Sequence, residues 1–156
     1  MNPEMEWFQK DFPVPSKPKG LLPELPRNIG DIHDSDLMEL YTDFMAWLTY
    51  AKAQLVQAEI AEERERNILE YLQSSVLIEQ WDNKMKGDLV TVAKAKRDVD
   101  PRITDQLEVY TQKRAYRKLV DTVFDRCERG AQVVSRELSR RISLAPKDNR
   151  LNRYTA

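Results

Sequence analysis

The chain has 156 residues, of which 41% are hydrophobic and 33% charged, and only four are glycine. This length allows one domain, or one domain and a tail, and many charges with little glycine favour helices whose outer faces lie in water. Because no run of 18 apolar residues is present and the first ten residues lack a basic segment followed by an apolar one, we expect neither a membrane span nor a secretory signal. The single cysteine, Cys127, cannot form an internal disulfide, so a reducing cytoplasmic location is expected.

Charge is divided unevenly along the sequence. Residues 1–90 carry nine basic and 17 acidic residues, a net charge of −8, whereas residues 91–156 carry 16 and nine, a net charge of +7. The basic half could face a polyanion, or the two halves could attract each other within or between protomers. The charge pattern alone does not choose between these two interpretations.

Residues 1–33 hold six of the eight prolines, which predicts a flexible, proline-rich arm instead of a regular helix. Near the start of this arm, Trp7 and Phe8 follow acidic residues. Aromatic side chains in such a position suit a short motif that docks in a partner's groove. The alternative is that the arm folds back and covers its own body or that of a neighbour.

An elongated all-α domain is predicted for residues 34–144, followed by a tail at 145–156. Its first long helix is expected at 36–76, where ten of the 12 positions read in alternating steps of four and three from Leu37 to Val76 are apolar. Such a helix would be roughly 60 Å long, too long for a compact chain of this size. A helix from the same chain or from another copy must therefore cover this apolar seam.

Two positions of the seam are carboxylates, Glu62 and Glu65, and Arg64 and Arg66 lie beside them. Charges on a seam usually set the register of helices or the oligomeric state. The alternative is that Arg64 and Arg66 bind a ligand.

A basic connector is predicted at 82–99, in which Leu89 to Val92 could form a short strand or a helical turn. Exposed lysines suit contact with phosphates without sequence specificity, although a solvated connector is the alternative. The basic residues of the connector are Lys84, Lys86, Lys94, Lys96 and Arg97.

The second long helix is expected at 100–143, because Asp100 before Pro101 provides an N-cap and a proline at the first helical position. Helical spacing places Arg114, Arg117 and Lys118 on one basic face. Apolar spacing resumes from Tyr116, so the two long helices of one chain are expected to form a long, coiled-coil-like helical hairpin, and hairpins are expected to assemble into a homo-oligomer. The residues predicted at the contact between copies are Leu37, Tyr41, Phe44, Leu48, Leu55, Val120, Val123, Val134 and Leu138.

No motif for catalysis is evident in the sequence. It contains no glycine-rich phosphate loop, no GxSxG and no metal-ligand spacing, and its single histidine, His33, cannot form a metal site. Cys127 lies on the seam and fits a small core side chain. We therefore expect a protein that is not an enzyme and that holds neither a metal nor a cofactor.

Three blocks of the sequence, in this order, resemble the UvsY-type recombination mediators of tailed bacteriophages. They are LYTDFMAWLTYAKAQLVQAEI, TVAKAKRDV and LVDTVFDRCERGAQVVSREL, and they span approximately residues 37–142. The likeness is one of pattern and order. It implies a ring-forming homo-oligomer that binds single-stranded DNA and helps a RecA-like recombinase to displace single-strand-binding protein, in the host cytoplasm.

In that family a basic pair late in the first long helix contributes to DNA binding, and its nearest counterpart here is Arg64 and Arg66. Acidic residues interrupt the pattern, so the basic connector and the face of Arg114, Arg117 and Lys118 are the other candidates. The competing hypothesis is a structural or adaptor oligomer, for phage assembly or host interaction, with no nucleic-acid role. The sequence pI of about 5.9 favours this second hypothesis slightly.

Overall fold

The computed structural model of the chain describes residues 13–83, 85–87 and 89–144. A short 3-10 helix at Ile29–Asp31 precedes three α-helices, α1 (Asp34–Asp82), α2 (Val90–Asp98) and α3 (Pro101–Leu144). No strand occurs in the described residues, so the predicted all-α class is confirmed. No helix in this part of the chain is both long enough and apolar enough to cross a membrane.

The first long helix, α1, begins two residues before and ends six residues after the predicted bounds. The carbonyl of His33 accepts the N–H of Leu37 at 2.9 Å, and Asp34 and Asp36 place negative charge in the first turn. That charge suits the positive end of the helix dipole. The helix continues beyond Val76 because no glycine or proline interrupts residues 77–82.

Two local features shape the connection from α1 to α3. Gly87 has a φ of +104°, a left-handed conformation that glycine adopts without a steric penalty. At the start of α3, a carboxylate oxygen of Asp100 accepts the N–H of Arg102 at 2.9 Å, and Pro101 is the first helical residue. This is the N-cap arrangement that the sequence predicts.

The chain divides into two compact units. Unit 1 comprises residues up to 53 and from 122 onward, and unit 2 comprises residues 54–121. The helices α1 and α3 each supply one segment to either unit, and α2 belongs to unit 2.

Within each unit the α1 and α3 segments run antiparallel. In unit 1, Asp34 near the start of α1 pairs with Arg141 near the end of α3. In unit 2, Glu79 near the end of α1 pairs with Arg102 at the start of α3. The prediction that two long helices of one chain pair with each other is thereby confirmed within each unit.

Unit 1 has the larger apolar core. Phe44 packs against Gly130, where an added Cβ atom would overlap the ring of Phe44, so only glycine allows this approach of the two helices. The buried residues of this core are Leu37, Phe44, Trp47, Cys127, Ala131 and Val134.

The described part of the arm, residues 13–33, packs on unit 1. Leu22, Ile29 and Ile32 are partly buried against its core. The guanidinium of Arg141 donates hydrogen bonds to the backbone carbonyls of Ile29 and Ile32 at 3.1 and 2.7 Å, which ties the 3-10 segment to the end of α3. For these residues the structure shows the second alternative, an arm that covers its own body.

Unit 2 has a smaller core. Its buried cluster consists of Leu69, Val76 and Ile103, with Leu72 and Tyr110 partly buried against it. Ile103 lies upstream of Tyr116, where the predicted seam of the second helix begins, so the sequence pattern missed it.

The nine residues predicted to join copies lie inside the chain instead. Leu37, Phe44 and Val134 are fully buried in the core of unit 1, and Leu55 is 4% exposed in unit 2. The remaining five are partly buried, namely Tyr41, Leu48, Val120, Val123 and Leu138. The chain's own helices therefore already cover much of this seam.

Candidate nucleic-acid interface

Basic residues of the second half of the sequence form ion pairs with acidic residues of the first half within one chain. Four arginines of α3 each pair with a carboxylate from the first 90 residues. These pairs are Arg102–Glu79, Arg117–Glu62, Arg126–Glu24 and Arg141–Asp34. Attraction between the halves is therefore present within one protomer, and the cations that make no such pair are the first candidates for binding a polyanion.

The two carboxylates on the α1 seam both have partners on α3. Glu62 accepts a hydrogen bond from Arg117, an interaction that raises the pKa of the Arg117 guanidinium. Glu65 accepts the side-chain amide N–H of Gln106 at 2.8 Å. These directional contacts pair α1 with α3 in one register, which is the structural role considered for charges on this seam.

The two arginines beside these carboxylates differ from each other. Arg66 pairs with Glu63 at 2.7 Å and lies 3.5 Å from Glu70. Arg64 is exposed and makes no ion pair among the residues that the structure describes. Only Arg64 of this candidate pair is therefore available to a ligand without breaking an existing contact.

The basic connector forms the helix α2, with Ala93 buried on its inner side. Lys94 is exposed and without an ion pair in the described part of the chain, whereas Arg97 pairs with Asp98 at 2.6 Å. Lys96 is exposed and has an interaction of its own. Lys86, in the turn before α2, is exposed, and Lys84 lies outside the described residues.

The predicted basic face of α3 is also divided. Arg117 is used by Glu62, and Lys118 is exposed but already makes an interaction. Arg114 and its neighbour Lys113 are both exposed, and neither makes an ion pair within the residues described. Lys113 was not among the residues predicted to bind nucleic acid. Its position one helical turn before Arg117 places it on the same basic face and could have indicated it.

An exposed aromatic ring lies on the helix surface beside one of these two cations, Lys113. Tyr116 is 52% exposed and follows Lys113 by three residues, a spacing that makes the two side chains neighbours on the helix surface. Tyr110 packs against the unit 2 core instead. We define the α3 patch as Lys113, Arg114 and Tyr116, which offers two charges for phosphates and one ring face for a base.

The described residues contain no group of three or more His, Cys, Asp or Glu side chains that could hold a metal ion. Cys127 is fully buried, and this burial raises the pKa of its thiol, which disfavours the reactive thiolate. Trp7 and Phe8, the predicted docking residues, lie outside the described residues.

The geometry thus leaves Lys113 and Arg114 of the α3 patch, Arg64, Lys86 and Lys94 as exposed cationic positions of unit 2 without ion pairs in the described structure. Comparison with protein-family models, with curated proteins and with solved structures finds no match for this chain. The case for a nucleic-acid interface therefore rests on charge, exposure and the resemblance of the sequence blocks.

Proposed function

We propose that this chain is a non-enzymatic recombination mediator that binds single-stranded DNA and helps to load a RecA-like recombinase against single-strand-binding protein. The observation that carries the proposal is the α3 patch, where Lys113 and Arg114 are exposed without ion pairs in the described structure and the exposed ring of Tyr116 neighbours Lys113. The roles of recombinase and single-strand-binding protein come from the resemblance to UvsY-type mediators.

The free cations supply the affinity. A lysine or arginine that already holds a carboxylate gains little from a phosphate, because the existing pair must break. Lys113 and Arg114 have no such cost, and each phosphate that they neutralise releases a counterion from the nucleic acid. Binding should therefore weaken steeply as salt rises.

The exposed ring favours single strands over duplex. Bases stack on aromatic side chains only when they are not stacked within a duplex, and such stacking tolerates any sequence. Tyr116 is the one tyrosine of α3 with more than half of its surface exposed. A mediator that must bind whatever strand is present needs this lack of sequence preference.

We also propose that the protein acts as a homo-oligomer, as the resemblance implies. The exposed side of α1 in unit 2 offers a surface for self-association, since Val56, Ile60 and Tyr71 are 43%, 50% and 72% exposed. Their spacing puts them on the helix face away from Leu69 and the core. A second copy could cover this face while the inner seam stays closed.

The test is binding of a fluorescent oligo-dT, followed by anisotropy at low and high salt, with light scattering for the oligomeric state. The variant Lys113→Ala/Arg114→Ala should weaken binding and lower the slope of log affinity against log salt by roughly 1.4, for two phosphates on a single strand. Arg136→Ala is the matched control, because Arg136 is an exposed arginine of α3 in unit 1 with no ion pair in the described structure. Equal loss in the control and the patch variant would overturn the assignment of the patch.

The second candidate is the structural or adaptor oligomer without a nucleic-acid role. The ion pairs of Arg102, Arg117, Arg126 and Arg141 favour it, because they account for part of the positive charge of α3 without any polyanion. An oligomer that does not bind oligo-dT at low salt would support this candidate and contradict the mediator proposal.

A further inference from the structure

Large apolar side chains are exposed at the corner between α1 and α2. Within 13 residues of unit 2, five large hydrophobic side chains are exposed, and the most open are Met85 at 77%, Leu89 at 68% and Ile78 at 62%. We define the apolar corner as Ile78, Trp81, Met85, Leu89 and Val90. Clusters of this kind on a protein surface usually mark a site of interaction.

The corner contains a pocket of about 330 Å³. Its lining consists of Leu77, Ile78 and Trp81 from the last turns of α1 and Val90 from the first turn of α2. All four lining side chains are hydrophobic, so the pocket suits an apolar or aromatic side chain. A charged group would lose part of its hydration against these four side chains.

Positive charge lies close to this pocket. Lys94 follows Val90 by one helical turn, and Lys86 follows Met85 directly. Both lysines are exposed and without an ion pair in the part of the chain that the structure describes. The surface therefore combines an apolar pocket with basic side chains at its border, which fits a segment that carries aromatic residues between carboxylates.

The sequence itself contains such a segment. Trp7 and Phe8 are the only two adjacent aromatic residues of the chain, and Glu4, Glu6 and Asp11 flank them. The first 12 residues lie outside the described structure, and the arm from residue 13 onward packs on unit 1. The proposed DNA interface does not use this segment.

We propose that the apolar corner of one copy binds the acidic aromatic segment, residues 4–11, of a second copy, with Trp7 or Phe8 in the pocket. The charges favour this contact, because the segment has three carboxylates and one lysine, while at the corner Lys86 and Lys94 outnumber Asp82, the one exposed carboxylate there without an ion pair in the described residues. This inference rests on the self-association in the proposed function and names a contact for it that does not need the buried seam. Each copy would give one segment and accept one, a heterologous contact between identical chains.

The test uses disulfide trapping between two populations of the full-length chain. One population carries an affinity tag and Gln9→Cys, which leaves Trp7 and Phe8 intact. The other carries Asp82→Cys, an exposed position next to Trp81 that is not part of the pocket lining. A disulfide forms only when the two Cβ atoms come within about 4.5 Å, and the native Cys127 is fully buried and thus protected.

We expect a disulfide-linked pair of one tagged and one untagged chain after mild oxidation. The matched control is Gln112→Cys in the untagged chain, an exposed position of α3 in unit 2 that lies about 15 Å along that helix from Arg102, the residue that pairs with Glu79 near the corner. Adding Trp7→Ala/Phe8→Ala to the tagged chain should lower the yield by about 30-fold, the size expected for a buried aromatic anchor. Lys94→Glu should lower it less.

Three results would overturn the inference: no mixed pair, an equal yield with the Gln112→Cys control, or an unchanged yield without Trp7 and Phe8. A chain with both Gln9→Cys and Asp82→Cys that forms only an internal disulfide would overturn the assignment to a second copy. Light scattering and oligo-dT binding of the unsubstituted protein are measured in parallel. An oligomer that binds DNA but gives no disulfide-linked pair of tagged and untagged chains would contradict only this inference. A monomer would contradict the proposed self-association as well.

Discussion

Units 1 and 2 are built from segments of the same two long helices, yet different forces hold them together. Unit 1 buries six side chains in one cluster, with nine more partly buried around it, while the cluster of unit 2 has three buried and two partly buried members. Unit 2 instead joins its helices through polar contacts such as Arg117 with Glu62 and Gln106 with Glu65.

This difference suggests that unit 1 mainly provides stability and unit 2 mainly provides binding surfaces. Burial of apolar side chains in a close-packed core contributes more to stability than a few partly buried polar contacts do, so unit 1 should provide most of the stability. Unit 2 buries fewer apolar side chains in its core cluster and exposes more of them on its surface. It also carries the α3 patch and the apolar corner, and these are the surfaces to which we assign binding.

The largest expected effect is on unit 1. Phe44→Ala should lower the free energy of unfolding by about 3–5 kcal/mol, because it removes a fully buried ring and leaves a cavity. Ile103→Ala in unit 2 should cost less, about 2–3 kcal/mol, since fewer side chains surround it. Urea denaturation followed by circular dichroism measures both, and the opposite order would break the comparison of the two units.

A smaller loss is expected when the close approach of the helices in unit 1 is blocked. Gly130→Ala should destabilise the chain by about 1–3 kcal/mol, because the new Cβ atom would overlap the ring of Phe44. Combining it with Phe44→Leu should recover part of this loss, since the overlapping ring is gone. If the double variant is as unstable as the sum of both single changes, the two residues do not compete for the same space.

The next effect depends on pH. Hydrogen bonds from Arg140, and then from Arg141, lower the pKa of Glu137 in unit 1 from 4.5 to about 2. A carboxylate with a lowered folded-state pKa contributes stability that is fully present above its unfolded pKa and is lost as pH falls. Thermal unfolding should therefore show a lower Tm between pH 4.5 and about 2 in the native chain, and Glu137→Gln should reduce this dependence. A pH profile that Glu137→Gln leaves unchanged would contradict the assignment.

The smallest effect on stability is expected on the surface of α2 in unit 2. Lys94→Ala/Lys96→Ala/Arg97→Ala should leave the helical circular dichroism signal and the oligomeric state almost unchanged, because all of these substitutions favour helix. Under the mediator hypothesis the same variant binds oligo-dT more weakly, and its salt slope falls by up to about 2. If the oligomer dissociates instead, these charges serve contacts between protein chains.

Sequence reasoning reached some of these features and missed others for definable reasons. The N-cap at Asp100 could be predicted because it depends on residues next to each other in the chain. Gly130 could be recognised as a possible site of helix crossing, but not the ring of Phe44 that meets it, since helical spacing does not say which residues face each other across two helices. The candidate site was predicted as three groups of basic residues, in α1, in the connector and in α3. The structure separates Arg64, Lys94 and Arg114 from Arg66, Arg97 and Arg117, which already hold carboxylates.

The sequence by itself determined the all-α class, the two long helices and the need to cover an apolar seam. These follow from periodicity and from the small number of glycines, which act locally along the chain. Only the tertiary structure decided that the seam of Leu37, Phe44 and Val134 is closed within one chain. The reason is physical: an apolar stripe is stabilised equally by any apolar helix that covers it, so its sequence cannot specify whether the covering helix belongs to the same copy.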